Sequence, residues 1–100
     1  MSFTLESTSS SSVLVKMTAL DSLSGVKKIV YCTTTVSASG TGSCSPSVST
    51  EFPTPTTTAS ITRTISISNL PAGQKRLICA NATDYSGNTS TTKCKQVASN

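Results

Sequence analysis

The chain has no histidine and no tryptophan, and only four aromatic side chains, Phe3, Tyr31, Phe52 and Tyr85. Each shortage excludes a class of function. Without histidine the commonest general base is missing, and the carboxylates are only Glu6, Asp21, Glu51 and Asp84. The many serines and threonines therefore have no evident base to activate them, and a non-catalytic protein is expected. Zinc needs closely spaced Cys or His pairs, and there is neither a Cys-x-x-Cys nor any histidine. Charge is also scarce: eight basic and four acidic residues leave +4. The basic residues lie in pairs such as Lys27-Lys28 and Lys75-Arg76, not in a dense face interleaved with stacking rings, which argues against a nucleic-acid partner. No apolar run is long enough for membrane insertion, and Met1-Ser2-Phe3 opens no secretion signal.

Serine, threonine and β-branched residues occupy the space left. The apolar period is two: Val13, Val15, Met17 and Ala19 alternate with their neighbours, as do Ile61, Ile65 and Ile67. About seven strands are predicted, over Phe3–Ser7, Val13–Leu20, Val26–Thr34, a weak one near Val48–Phe52, Ala59–Ser68, Lys75–Ala82 and Thr89–Val97. Ser7–Ser12 and Ser37–Ser47 read as loops, and Phe52-Pro53-Thr54-Pro55 as an edge or linker. No segment reads as a helix. The expected fold is an all-β, seven-stranded antiparallel sandwich of immunoglobulin or fibronectin type III kind, one domain over residues 1–100. Its inner faces would be Val13, Val15, Met17 and Ala19 with Ile61, Ile65 and Ile67, against Ile29 and Tyr31 with Ile78, Ala80 and Ala82. Arg63 breaks that inward series and is expected to snorkel at the sandwich edge.

Four cysteines, Cys32, Cys44, Cys79 and Cys94, are an even set in a small β-rich chain and point to two disulfides in an oxidising compartment. Extracellular or cell-surface location follows, and with it the expectation that this domain was cut from a longer secreted protein, Met1 being an added start. Four cysteines allow three pairings. Cys32 is expected to end a strand, with the glycine-containing Thr33–Ser43 bringing Cys44 back beside it. If Ser86-Gly87 is a two-residue hairpin turn flanked by Tyr85 and Asn88, partners sum to 173 and Cys79 faces Cys94. A shift of one residue would put Cys94 opposite Ile78, leaving Cys32 with Cys79 as the best alternative.

Four stretches carry a further signal. Asp21-Ser22-Leu23-Ser24-Gly25-Val26, Ile29-Val30-Tyr31, Leu70-Pro71-Ala72-Gly73 and Ala82-Thr83-Asp84-Tyr85-Ser86-Gly87-Asn88-Thr89-Ser90 resemble the Ig-like repeats of bacterial secreted and surface proteins. The resemblance spans Leu14 to Val97. The four cysteines and the Ser/Thr/Pro segment Ser37–Thr58 depart from it. It implies a structural or spacer module whose partners are neighbouring domains of its own chain. Pro53, Pro55 and lysines at the strand edges discourage pairing, so a monomer in isolation is expected. The alternative is an adhesin or accessory module recognising a host protein or a carbohydrate.

Asp21 and Asp84 open two similar turns, which in such a sandwich lie at one pole. Two carboxylates with Asn88 are the oxygen ligands calcium prefers, whereas the same residues also form Asx turns, and turn chemistry is the favoured reading. Tyr85 is the one aromatic placed at a loop tip to touch a ligand such as a glycan. Asn81-Ala82-Thr83 and Asn88-Thr89-Ser90 match the glycosylation sequon, which is without consequence in a bacterial source. A Lys16–Asn88 isopeptide would need a buried lysine, and Lys16 falls on the outer register of its strand.

Overall fold

Period-two patterning becomes two antiparallel sheets in the computed structural model, which describes residues 1–8, 13–37, 42, 44–65 and 73–99. The strands are β1 (Ser2–Thr8), β2 (Val13–Leu20), β3 (Val26–Ser37), β4 (Val48–Thr56), β5 (Thr58–Ile65), β6 (Gln74–Asp84) and β7 (Lys93–Ser99). One sheet has the order β1-β2-β5 and the other β4-β3-β6-β7. Consecutive strands β2 and β3, and again β4 and β5, lie in different sheets, so the chain crosses between layers and no simple meander forms. No helix among the described residues is long and apolar enough to cross a membrane.

The core lies between the sheets. Val15, Met17 and Ala19 of β2 and Ala59, Ile61 and Ile65 of β5 face Val26 and Ile29 of β3 and Ile78, Ala80 and Ala82 of β6. Val15, Met17, Ile29 and Ile78 are completely buried. Of the expected core residues, the side chain of Val13 and the whole of Ile67 lie outside the described residues. Phe3, Val26 and Ala59 join the core without having been expected there. Phe3 pairs with Ala19 on β1, so the small alanine leaves the room that the ring fills. Arg63 sits opposite Val15 in the inward register and is half-buried. Its guanidinium runs to the sandwich edge, donating to Thr50 Oγ1 at 3.1 Å and Thr62 O at 2.9 Å. Lys16 is exposed on the outer face, between Glu6 and Thr62 in register.

Three strand expectations need correction. β3 continues to Ser37, so Cys32 lies in mid-strand and does not end it. β4 runs through both prolines to Thr56, and it does so as the outer strand of its sheet, where a missing N–H costs no ladder bond. β7 begins at Lys93 and not at Thr89, which makes only an isolated bridge with Thr83.

Candidate functional site

Two places gather the polar and reactive side chains: the pole carrying both aspartates, and the outer face of the four-stranded sheet.

The pole is built from the β2–β3 and β6–β7 connections. Asp21 follows β2 and its Oδ1 accepts the N–H groups of Leu23 and Ser24, each at 3.0 Å. Asp84 ends β6 and its Oδ1 accepts the N–H of Ser86 at 3.0 Å and of Asn88 at 2.8 Å. Asn88 Nδ2 donates to the other Asp84 oxygen at 3.2 Å. Each carboxylate is buried and satisfies the turn it opens, the Asx geometry that aspartate favours at such positions. Backbone bonds join the two turns: Tyr85 N–H donates to Gly25 O at 3.0 Å, and the hydroxyls of Ser24 and Ser86 meet between them. The Ser24 N–H, foremost, holds the Asp21 carboxyl below its ordinary value. Burial opposes it, while the Leu23 N–H, the neighbouring Asp84 carboxyl and the Gly25 N–H act in the same direction as Ser24.

Gly25 explains the tightness. Its φ is +81°, and a Cβ there would lie 2.5 Å from Pro55 Cβ, so the turn and the edge strand β4 pack backbone against ring. Tyr85, itself exposed, donates its hydroxyl to Phe52 O on the same edge strand. The residues read as a calcium set, Asp21, Asp84 and Asn88, are therefore brought together at this pole. Their bonded oxygens hold backbone and amide donors that a cation would have to displace. The Ser24–Ser86 contact, the Gly25–Pro55 contact and the Tyr85 tether were not legible, because each joins segments far apart in sequence.

The sulfurs occupy the second place. Cys32 is bonded to Cys44, with Cα atoms 6.1 Å apart, and Cys79 to Cys94, 4.0 Å apart. Both expected pairings are present, and among the described residues no cysteine is free. The second pairing is right although the turn it was deduced from is wrong. Near the turn Thr83 pairs with Thr89, a sum of 172, and Asp84 N–H donates to Asn88 O across it. One extra residue on the returning arm, between Thr89 and Lys93, then restores the sum of 173 at Ala80–Lys93 and Cys79–Cys94. In β3–β6 pairing Cys32 is the register partner of Cys79. Cys32, Cys79 and Cys94 thus form a row across the sheet, Cys44 joins it from outside the strands, and the Sγ atoms of Cys32, Cys44 and Cys79 all lie within 4.8 Å of one another. Leu77, Val36 and the half-buried Cys44 complete a small apolar cluster around them on the face away from the core. Oxidised, these sulfurs are not the thiolates that zinc takes.

No protein-family model, no curated protein and no solved structure matches the chain.

Proposed function

We propose that the domain is a non-catalytic, Ig-like spacer module of a secreted or cell-surface bacterial protein. The observation that carries this reading is where the chain enters and leaves. Ser2 opposes Leu20 beside the aspartate pole, whereas Ser99 opposes Lys75 at the far end of β6. The molecule measures 45 × 23 × 17 Å, so modules joined end to end would stack along the long axis. The order β1-β2-β5 against β4-β3-β6-β7 supports the fibronectin type III-like assignment, and two disulfides support an oxidising, extracellular setting. Leu23, 96% exposed at the pole where the chain enters, is an apolar contact that a preceding module would cover.

Small-angle scattering on one, two and three copies joined head to tail tests the reading. Under it the maximum dimension grows by close to the long extent, 45 Å, with each copy. Growth nearer the 17 or 23 Å extents would mean side-by-side packing and would reject the spacer assignment.

A further inference from the structure

The outer-face sulfurs are closer to one another than two independent staples require. The short 4.0 Å Cα separation of Cys79 and Cys94 marks a non-hydrogen-bonded pair on the β7 side. The N–H and C=O of Cys79 therefore turn toward β3, where Cys32 is the register partner. Consistently, Cys32 Sγ lies 3.6 Å from Cys79 O. A directly opposed hydrogen-bonded pair has Cα atoms about 5.5 Å apart, which lies inside the range of about 4.4–6.8 Å that a disulfide spans. With the two Sγ atoms already within 4.8 Å of one another, a Cys32–Cys79 bridge is within reach. Exposure differs along the row: Cys94 is exposed, Cys44 half-buried, Cys32 nearly closed and Cys79 fully buried.

We propose that the two disulfides form one exchange-coupled system, in which opening the exposed Cys79–Cys94 bond transfers a bridge inward to Cys32–Cys79 and releases Cys44. The co-reactant is a small-molecule thiol. Its thiolate attacks the exposed Cys94 Sγ, a mixed disulfide forms there, and the Cys79–Cys94 bond breaks with the electron pair leaving on Cys79. That thiolate is buried among Leu77, Val36 and Cys32, where burial raises its basicity and with it its nucleophilicity. It attacks Cys32 Sγ, forming Cys32–Cys79 and expelling Cys44 as a thiolate that takes a proton from water. Cys32 is the sulfur directly opposite the Cys79 thiolate in the β3–β6 register, so the bridge forms to it and Cys44 is the leaving group. A second thiol cleaves the mixed disulfide at Cys94 and departs as the oxidised dimer. The net change is two small thiols oxidised to one disulfide and one protein disulfide reduced.

The consequence is a graded response to reductant. β7 and the segment carrying Cys44 lose their tethers, while the central strands β3 and β6 gain one. The new bridge joins residues 47 apart in sequence, against 12 and 15 for the originals, and so restricts the unfolded chain more than either.

Limiting dithiothreitol or glutathione, an acid quench, and alkylation under denaturing conditions followed by peptide mapping give the test. The expected result is label on Cys44 and Cys94 rising in step, loss of the Cys32–Cys44 peptide and appearance of a Cys32–Cys79 peptide. Label on Cys79 and Cys94 with Cys32–Cys44 intact would overturn the proposal, as would label on Cys32 and Cys44 alone or a Cys44–Cys79 peptide. Cys94→Ser supplies a second route without reductant. The transferred bridge and an alkylatable Cys44 are expected, and an intact Cys32–Cys44 with only Cys79 labelled overturns the transfer. Should that variant fail to fold, the wild-type partial reduction still decides.

Discussion

Leu77 and Ile78 are neighbours on β6, yet they are buried by different means. Ile78 faces the second sheet and is closed off by Met17, Ile29 and the rest of the aliphatic layer. Leu77 faces outward and is covered by Cys32, Cys79, Val36 and Cys44. On the inner face the fold itself supplies the partner surface. On the outer face the cover is made largely of cysteines, held in place by covalent bonds. The difference teaches that one sheet carries two apolar layers of unlike origin, one set by packing and one by chemistry, and that they should respond to different perturbations.

The largest effect is expected inside. Ile78→Ala should destabilise by about 2–5 kcal/mol, with Leu77→Ala near the low end of that range because its surroundings are smaller and closer to water. Urea unfolding at matched slopes measures both, and a larger loss for Leu77 would break the comparison. Next, Cys79→Ala with Cys94→Ala closes no loop and should cost about 3 kcal/mol for the 15-residue separation. In that background Leu77→Ala should lose part of its penalty while Ile78→Ala keeps its own. Equal penalties with and without the bridge would show that the outer layer does not depend on it.

A smaller pair of substitutions probes the pole. Gly25→Ala forces a left-handed residue against Pro55, whereas Gly87, at φ +91°, has nothing within 4 Å of an added Cβ. Gly87→Ala should cost about 1–2 kcal/mol from backbone strain alone, and Gly25→Ala more. Thermal melting orders them, and equal costs would mean that the Pro55 contact gives way freely.

The smallest effects belong to the aspartates. Asp21 titrates in the folded chain below its ordinary value of 3.8, chiefly through the Ser24 N–H. Its contribution to stability is therefore complete above that value and is lost as pH falls through the lower, folded one. Asp21→Asn should flatten the acid limb of the stability curve below pH 3.8 and leave the neutral region little changed in slope. An unchanged acid limb would remove Asp21 from the account. Millimolar calcium should leave the melting temperature where it is; a rise of several degrees that disappears in Asp84→Asn would show a cation site at the pole.

Much of this was legible in the chain. β2 ran over the residues that its alternation marked, because its inward positions are uninterrupted. The two aspartate turns were legible too, since an Asp followed at short range by Ser and Gly bonds its own backbone wherever it occurs. The hairpin turn differs from the two-residue form that Ser86-Gly87 suggests, because Asp84 draws both Ser86 and Asn88 onto one oxygen and so closes a longer loop. A compensating extra residue on the return arm kept Cys79 opposite Cys94, so the pairing survived the wrong turn.

The sequence by itself determined what local patterning can specify: period-two strands, the turns that cap themselves, and an even set of cysteines. Tertiary structure alone decided which segments meet. Phe3 fills space left by Ala19, Gly25 admits Pro55, Tyr85 ties the edge strand, and Cys32 comes to lie beside Cys79. Each of these depends on the register between strands distant in the chain, and register is set by the summed packing of whole faces, which no single segment encodes.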